Sequence, residues 1–233
     1  MSGNDEKYRH ELKYLISAAQ IPLLESRLSG IMTPDPHAAD DGMYSIRSLY
    51  FDDYQNRCYY ENENGTDPRE KFRIRIYNHA ADRIVLECKR KERGKTRKTS
   101  APLTPGQCRR LMEGLPLIDD GDLMPLQRKL NLQMKLRSLH PVVIVEYERK
   151  PLVYRNGNVR VTFDTNISTS SAVQHFFDAR IPRRPVMPAG QHLLEVKFDE
   201  YLPDFIYRSL NLGSLQQTAF SKYYLCRKYG SYR

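Results

Sequence analysis

The most regular feature of the chain is a two-residue alternation of apolar and polar side chains, which recurs in eight segments separated by clusters of Gly, Pro, Asn and Asp. Such alternation is typical of β-strands with one buried and one polar face. The predicted strands cover residues 8–15, 43–51, 70–78, 83–92, 95–100, 141–150, 159–165 and 192–199. Gly94 and Lys95 predict the turn of a hairpin between the fourth and fifth of these strands.

Helical spacing of apolar side chains is less regular and occurs between the predicted strands. It predicts a helix from a Ser17 cap to Leu28, a helix capped by Thr104, a helix within 122–139, a short helix from Pro203 to Leu210 and a closing helix over 221–228. Consecutive strands with few helical crossovers favour an antiparallel sheet or barrel, with the helices packed outside.

The polar positions of six strands carry charges at regular i, i+2 spacing. They are Arg9, Glu11 and Lys13; Lys71, Arg73 and Arg75; Glu87, Lys89 and Lys91; Tyr147 and Arg149; Arg160, Thr162 and Asp164; and Glu195 and Lys197. A solvated sheet face needs only scattered polar side chains, so it explains one such strand better than six. A barrel closed around a polyanion would use this pattern, and eight strands leave room for one small ligand.

Inward cations repel one another in a low-dielectric interior unless acids and a bound anion or metal offset them. Glu11, Glu87 and Glu195 lie on the inward face and could supply this offset. Their carboxylate oxygens also suit Mn²⁺ or Mg²⁺, which bind carboxylate and phosphate oxygens together. The predicted fold class is therefore α+β: an eight-stranded antiparallel β tunnel, or barrel, with a charged interior and helices packed outside.

Composition narrows the class of protein. The chain has 233 residues, and 37 Lys and Arg against 28 Asp and Glu leave a formal charge of +9, which favours an anionic partner. This length predicts a single domain over 1–233. The longest aliphatic run, Val142 to Val145, is far shorter than the roughly 18–20 residues of a membrane-spanning helix.

Localisation in the cytoplasm is expected for two reasons. The first residues carry charges where a secretion signal needs an apolar stretch. The four cysteines, Cys58, Cys88, Cys108 and Cys226, lack the C-x-x-C spacing of a zinc or redox site and are interpreted as reduced thiols. The basic run from Lys89 to Lys98 could bind nucleic acid, but no aromatic stacking platform accompanies it, so no nucleic-acid partner is predicted.

Eight segments together resemble a known family. They are YRHELKYLI at 8–16, SLYFDD at 48–53, EKFRIRIYN at 70–78, LECKRKERGKTRK at 86–98, VEYERKPLVY at 145–154, RVTFDTNI at 160–167, LLEVKFDEYLP at 193–203 and FSKYYLCRKY at 220–229. In this order they resemble the VTC-domain polyphosphate polymerases of the triphosphate tunnel metalloenzyme, or CYTH-like, superfamily. The resemblance covers nearly the whole chain.

The resemblance implies a metal-dependent phosphotransferase that uses Mn²⁺ or Mg²⁺ and moves the terminal phosphoryl group of ATP to a growing inorganic polyphosphate chain. Matching positions imply a phosphate-binding basic set of Lys13, Arg73, Arg75, Lys89, Lys98, Arg149 and Lys222, with Tyr147 and Ser221 as hydrogen-bonding partners and Glu195 as the main metal ligand. Inward parity adds Lys197 and Arg160 as substrate-binding candidates and Glu11 and Glu87 as metal candidates.

Three functions stay open at this level. A triphosphate hydrolase could use the same tunnel with water in place of the polyphosphate acceptor, and a polyphosphate sensor could bind without turnover. ATP and polyphosphate are the expected ligands, and a membrane protein that captures the product, and so holds the chain at the inner face of a membrane, is a further open partner. Mutual repulsion among the inward cations also predicts that removing Arg73, Arg75 or Arg149 leaves the fold intact.

Overall fold

The computed structural model describes residues 8–36 and 42–230. The N-terminal residues 1–7, whose charges argued against a secretion signal, lie outside the described residues. The strands are β1 His10–Ser17, β2 Thr33–Pro34, β3 Tyr44–Asp52, β4 Arg69–Tyr77, β5 Ala80–Glu92, β6 Lys95–Leu103, β7 His140–Tyr154, β8 Val159–Ser170, β9 Arg184–Pro185 and β10 Gln191–Phe198. The α-helices are α1 Gln20–Leu28, α2 Arg57–Glu63, α3 Pro105–Met112, α4 Pro125–Arg137, α5 Asp204–Ser209 and α6 Lys222–Gly230.

Eight long strands form one strongly curled antiparallel sheet in the order β1-β10-β8-β7-β3-β4-β5-β6. The short strands β2 and β9 are added to β7 and β8. The two edges of the sheet meet at Arg9 and Thr96, which exchange backbone hydrogen bonds of 2.9 and 3.0 Å. The predicted α+β fold with an eight-stranded antiparallel tunnel is confirmed.

The predicted β5–β6 hairpin is present, but its turn is formed by Arg93 and Gly94 and not by Gly94 and Lys95, because Lys95 already pairs with Glu92. Arg93 and Gly94 have positive φ, 49° and 76°, as a two-residue type I′ turn requires. The Asp67 carboxylate accepts a hydrogen bond from the Arg93 backbone N–H at 2.9 Å. The turn fixes the register that places Lys89 opposite Lys98 on the two strands.

The outer face of the sheet is apolar and is covered by helices. One core cluster joins Ile74 and Leu86 of the sheet to Leu111 of α3 and Leu130 of α4, all four fully buried. A second cluster packs α1 and α5 against β8 and β10. In most strands the apolar side chains therefore face outwards, which leaves the charged side chains at alternate positions to face inwards.

A third cluster lies on the inner face at one end of the tunnel. The sheet register pairs Ile46 of β3 with Tyr147 of β7, and Tyr223 and Cys226 of α6 pack against this surface. Helix α6 therefore packs against the inner face of the sheet near one end of the tunnel. None of the helices in the described part of the chain is long and apolar enough to span a membrane.

Two details differ from the sequence predictions. Ser17 does not cap α1, because β1 continues through Ser17 and the helix begins at Gln20. Helix α2 was not predicted, because only Cys58 of its seven residues is buried and no apolar stripe marks it. The buried Asp52 carboxylate holds this helix by accepting the backbone N–H groups of Cys58 and Tyr59 at 2.9 and 3.2 Å.

Candidate functional site

Charged side chains line the inside of the curled sheet, on the face that the alternation predicts. Two cavities of about 490 and about 730 Å³ occupy this space, and they share lining residues, so they are two halves of one tunnel. The smaller half, the α6 end, is lined by Ser221 and Lys222, and the larger half, the Arg160 end, by Lys98 and Arg160. Every predicted site residue lines one half or the other except Glu87, which is buried against Arg73.

Strands β4 and β5 form the first wall, where two arginines share one buried carboxylate. Arg73 lies opposite Glu87 in the register, 2.6 Å from Nε to Oε2, and also donates to the Tyr50 hydroxyl at 2.7 Å. Arg75 lies 3.7 Å from the same Glu87 oxygen. Burial alone would raise the pKa of Glu87, but Arg73, Arg75 and Lys98 together hold that pKa well below its usual range. Glu87 is thus a permanent negative charge that holds both guanidinium groups in the tunnel.

Strands β7, β8 and β10 form the second wall together with the first residue of α6. Arg149 makes a two-point ion pair with Asp164, both contacts at 2.7 Å, and lies 3.4 Å from Glu195. Lys222 Nζ lies between the same two carboxylates, 2.6 Å from Asp164 and 2.7 Å from Glu195. Burial alone would lower the pKa of Lys222, but the two acids raise it above its ordinary value. The two cations and two anions of this wall offset one another.

Three further lysines reach the space between the walls. Lys89 lies 2.7 Å from Glu11, and Lys197 lies 3.5 Å from Glu11 and 3.0 Å from Glu195. Lys13 lies 3.9 Å from Glu195. Burial lowers the pKa of Lys89 to about 8 despite the neighbouring Glu11 carboxylate. Anionic ligand oxygens in this space would favour the charged form of Lys89 and so gain affinity from it.

The residues before and at the start of α6 are tied to the tunnel at several points. Lys13 donates to the Phe220 carbonyl at 2.7 Å, and the Tyr223 hydroxyl donates to the buried Asp52 carboxylate. Ser221 lines the tunnel beside Lys222, and its hydroxyl accepts the backbone N–H of Tyr224 at 3.3 Å. These contacts place the Ser221-Lys222 pair at the α6 end.

Tyr147 lies between the two walls. Its hydroxyl accepts a hydrogen bond from Arg75 at 3.3 Å, and its ring centroid lies 5.2 Å from the Arg149 guanidinium carbon and 4.8 Å from Lys222 Nζ. Cations over the face of a tyrosine ring are attracted by the ring quadrupole. Tyr147 therefore orients three cations of the predicted set at once.

The cations at the Arg160 end are more exposed than those of the Arg149 cluster. Arg160 lies 2.6 Å from Asp35 and donates to the Tyr44 hydroxyl at 2.9 Å. Lys98 donates to Glu87 at 3.3 Å, but its side chain is 40% exposed. Both side chains line the larger half of the tunnel, nearer to solvent than the Arg149 cluster.

The three predicted metal carboxylates do not form one cluster. Glu11 and Glu195 both contact Lys197, whereas Glu87 contacts Arg73 and Arg75. No group of three His, Cys, Asp or Glu side chains arranged to hold a metal occurs among residues 8–36 and 42–230.

The Thr162 hydroxyl is a further oxygen that could bind a metal ion beside Glu195. The register places Thr162 opposite Glu195, and its buried hydroxyl has no hydrogen-bond partner within the described residues. Carboxylate and hydroxyl oxygens suit Mg²⁺ or Mn²⁺, both of which accept ligand and water oxygens in addition to one or two carboxylates. The donor set at Glu195 fits such an ion if phosphate oxygens complete its coordination.

Two residues of the walls were not predicted as site residues. Asp164 neutralises Arg149 and Lys222, and Tyr50 orients Arg73. Asp164 was visible in the inward parity of its strand, beside Arg160 and Thr162, but parity does not reveal which cations an acid contacts. Tyr50 is uncharged, so the charge pattern that identified the other site residues did not include it.

A family model for the VTC domain matches residues 8–229, almost the whole chain. The chain belongs to the VTC domain family. This membership confirms the resemblance read from the sequence and places the chain among triphosphate-tunnel folds, which handle phosphate and triphosphate groups, include enzymes and typically depend on divalent metals. No curated protein sequence matches the chain closely enough to count as a relative.

Two solved structures align with the chain at low sequence identity. A candidate adenylate cyclase from Bacillus halodurans aligns with a TM-score of 0.50 and 13% identity, covering 89% of this chain and 88% of that one. The PH1819 protein from Pyrococcus horikoshii OT3 aligns with a TM-score of 0.49 and 11% identity, over 95% of this VTC domain and 99% of that chain. At this identity the first of these similarities shows the tunnel fold alone.

Proposed function

We propose that this VTC domain is a polyphosphate polymerase that transfers the terminal phosphoryl group of ATP to a growing inorganic polyphosphate chain inside its tunnel. The observation that carries the proposal is the charge of the α6 end, where ten Lys and Arg side chains line the cavity against two carboxylates, Glu11 and Glu195. Glu87 and Asp164 behind the lining offset only part of this charge, and such an excess of partly buried cations is costly without an anionic ligand. A polyanion of linked phosphates is the ligand that family membership favours.

Phosphoryl transfer needs little covalent chemistry from the protein, so positioning and charge stabilisation suffice. Arg73, Arg75 and Arg149 are held by buried carboxylates and present fixed N–H donors to phosphate oxygens. Lys89 and Lys222 add point charges, and Lys13 joins them at the α6 end. These side chains would hold the triphosphate and the acceptor end of the polymer in line.

A divalent ion held by Glu195, with Glu11 nearby, would supply neutralisation of triphosphate charge when bound. The chain's own role there is to keep both carboxylates ionised. Burial alone would raise the pKa of Glu195, but Lys197, Lys222, Lys13 and Arg149 hold it well below its usual range.

The two-ended tunnel supports a polymerase over a hydrolase. A triphosphate needs one cavity, whereas a reaction between a nucleotide and a polymer end needs a path on each side of the reacting phosphate. The α6 end and the Arg160 end supply two such spaces joined at Arg73, Arg149 and Lys197. ATP as the donor implies a cytoplasmic site of action, and a membrane protein that takes up the product is part of the same proposal.

The test is incubation of the purified protein with ATP and Mn²⁺ or Mg²⁺, followed by gel analysis of polyphosphate and a free-phosphate assay. Long polymer that disappears in excess EDTA is the expected result. Free phosphate without polymer would replace the proposal with a hydrolase, and tight binding with neither product would replace it with a sensor. Arg73→Ala is the matched inactive variant.

A further inference from the structure

The inner faces of β4 and β5 carry like charges in opposed positions near the α6 end. Arg69 lies opposite Lys91, and Lys71 opposite Lys89, and all four side chains line the tunnel. Like charges directly opposite each other on neighbouring strands destabilise a sheet. Lys89 has Glu11 as a partner, but no carboxylate lies within 4.0 Å of Arg69, Lys71 or Lys91 in the described part of the chain.

On the outer face of the same two strands, opposite charges face each other. Glu70 lies opposite Arg90, 3.2 Å apart, and Arg90 also lies 2.9 Å from Glu92. The β4–β5 ladder therefore pairs unlike charges on its outer face but like charges at the two inner positions nearest the α6 end, whereas Arg73 further along lies opposite Glu87. Since the outer face shows that complementary pairing is available here, the inner arrangement indicates a ligand that supplies the missing negative charge.

Among these inward cations, Lys71 gives the clearest evidence for a missing anion. Its Nζ donates to the Asn62 side-chain oxygen at 2.8 Å and lies 4.7 Å from the centroid of the Tyr223 ring. Neither contact neutralises its charge. Desolvation lowers the pKa of Lys71 to about 7, a second sign of a cation held where only a further anion would stabilise it.

The row of inward cations along β4 is longer than a triphosphate. Residues two apart on one strand are separated by roughly 6.6 Å, so Arg69, Lys71, Arg73 and Arg75 cover about 20 Å along β4. Arg73 and Arg75 lie in the shared middle of the tunnel, whereas Arg69, Lys71 and Lys91 line only the α6 end. Arg69, Lys71 and Lys91 therefore lie on the path that a chain of more than three phosphates would follow.

We propose that Arg69, Lys71 and Lys91 form a separate subsite that binds the distal phosphates of a linear polyphosphate and directs the polymer out of the tunnel at the α6 end. This inference rests on the proposed function only in taking inorganic polyphosphate as the ligand. Its consequence is an affinity that increases with chain length beyond three phosphates.

The test is calorimetric titration of the whole protein with tripolyphosphate and with a long linear polyphosphate, without nucleotide or metal. The variants are Lys71→Met and Lys91→Gln. The matched control is Arg90→Gln, which removes the same charge from the neighbouring residue on the outer face. Thermal unfolding of each variant confirms that it is folded.

The expected result is tighter binding of the long chain by the parent, and a loss of about tenfold in each subsite variant, the worth of one charge-assisted contact. Tripolyphosphate affinity should change by less than about twofold, since the distant charge is screened. Equal losses for both ligands, equal losses in Arg90→Gln, or no length dependence in the parent would overturn the subsite.

These outcomes separate the two proposals. Length-dependent binding without synthesis from ATP would support the subsite and refute the polymerase proposal. Synthesis from ATP with binding that does not depend on chain length would support the polymerase proposal and refute the subsite. Failure of the parent to bind either phosphate ligand would refute the subsite, while the polymerase would still be tested by synthesis from ATP in the presence of metal.

Discussion

The two walls of the tunnel treat their cations differently. On the β7–β8–β10 wall, Arg149 and Lys222 are matched by Asp164 and Glu195, all within 3.4 Å of a partner. On the β4–β5 wall, Glu87 is the one acid on the inner face and serves Arg73 and Arg75, while the cations nearer the mouth have no carboxylate in contact among the described residues. The paired cluster on the β7–β8–β10 wall is neutral, so we call this the neutral wall, whereas the β4–β5 wall is strongly positive.

The paired charges of one wall hold the geometry of the site, whereas the unpaired cations of the other supply affinity for an anionic ligand. Buried ions that are fully paired hold the geometry of a site, because breaking one pair leaves its partner charged and buried. Cations without acids cost stability in the empty protein, but they bind an anion without first losing a partner. We therefore expect substitutions on the neutral wall to affect folding most, and substitutions on the positive wall to affect ligand binding most.

Arg149→Ala should have the largest effect on stability. It leaves the fully buried Asp164 with Lys222 as its one ion-pair partner among the described residues, so we expect a loss of about 3–5 kcal/mol in the free energy of unfolding. This prediction differs from the expectation from sequence that removal of Arg149 leaves the fold intact, because the ion pairs make Arg149 an attractive partner and not only a repelling cation. Urea unfolding measures the loss, and Asp164→Asn in the same background should restore part of it. An unchanged midpoint would show that the wall is not held by these pairs.

Arg73→Ala should act mainly on turnover. Glu87 keeps Arg75 and Lys98 as neighbours, so we expect a smaller loss of stability, about 1–3 kcal/mol. Synthesis of polyphosphate from ATP should decrease at least about 100-fold, because a fixed donor to the reacting phosphates is lost. The comparison of the two walls would fail if Arg73→Ala unfolded as readily as Arg149→Ala.

Lys71→Met should stabilise the empty protein in a pH-dependent way. The pKa of Lys71 is about 7 in the folded protein and about 10.5 in the unfolded chain, so the unfolded state binds more protons between these values. The buried charge therefore destabilises the parent fully below pH 7, and this penalty disappears as the pH rises towards 10. Urea unfolding at pH 6 and pH 9.5 should show a gain from Lys71→Met that is larger at pH 6. A gain that does not depend on pH would point to packing alone.

Lys98→Gln should have the smallest effect. Its side chain is 40% exposed, so solvent screens its interaction with Glu87, and we expect less than about 1 kcal/mol of lost stability. Affinity for tripolyphosphate should decrease by less than about threefold, and the difference should vanish in high salt. Calorimetry at two salt concentrations tests this, with Arg73→Ala as the contrasting variant. A loss as large as that of Arg73→Ala would extend the strongly binding wall to the Arg160 end.

The eight strands, the inward charged parity and the β5–β6 hairpin could be predicted from the sequence. Alternation with period two, and residues such as Gly94 that tolerate positive φ, are local properties of the chain. Helix α2 could not be predicted in this way, because its anchor, the Asp52 carboxylate, lies outside its own residues and acts through two backbone N–H groups.

The sequence by itself determined which residues face the tunnel, since each strand sends alternate side chains to one side. Only the tertiary structure decided which of these charges meet. Arg149 and Asp164 are 15 residues apart, and Lys222 and Glu195 are 27 apart, and they become partners because the sheet register and the placement of α6 bring them together. Coulomb energies depend on distances of a few ångströms, so parity could place these ions inside the tunnel but could not divide it into a neutral and a positive wall.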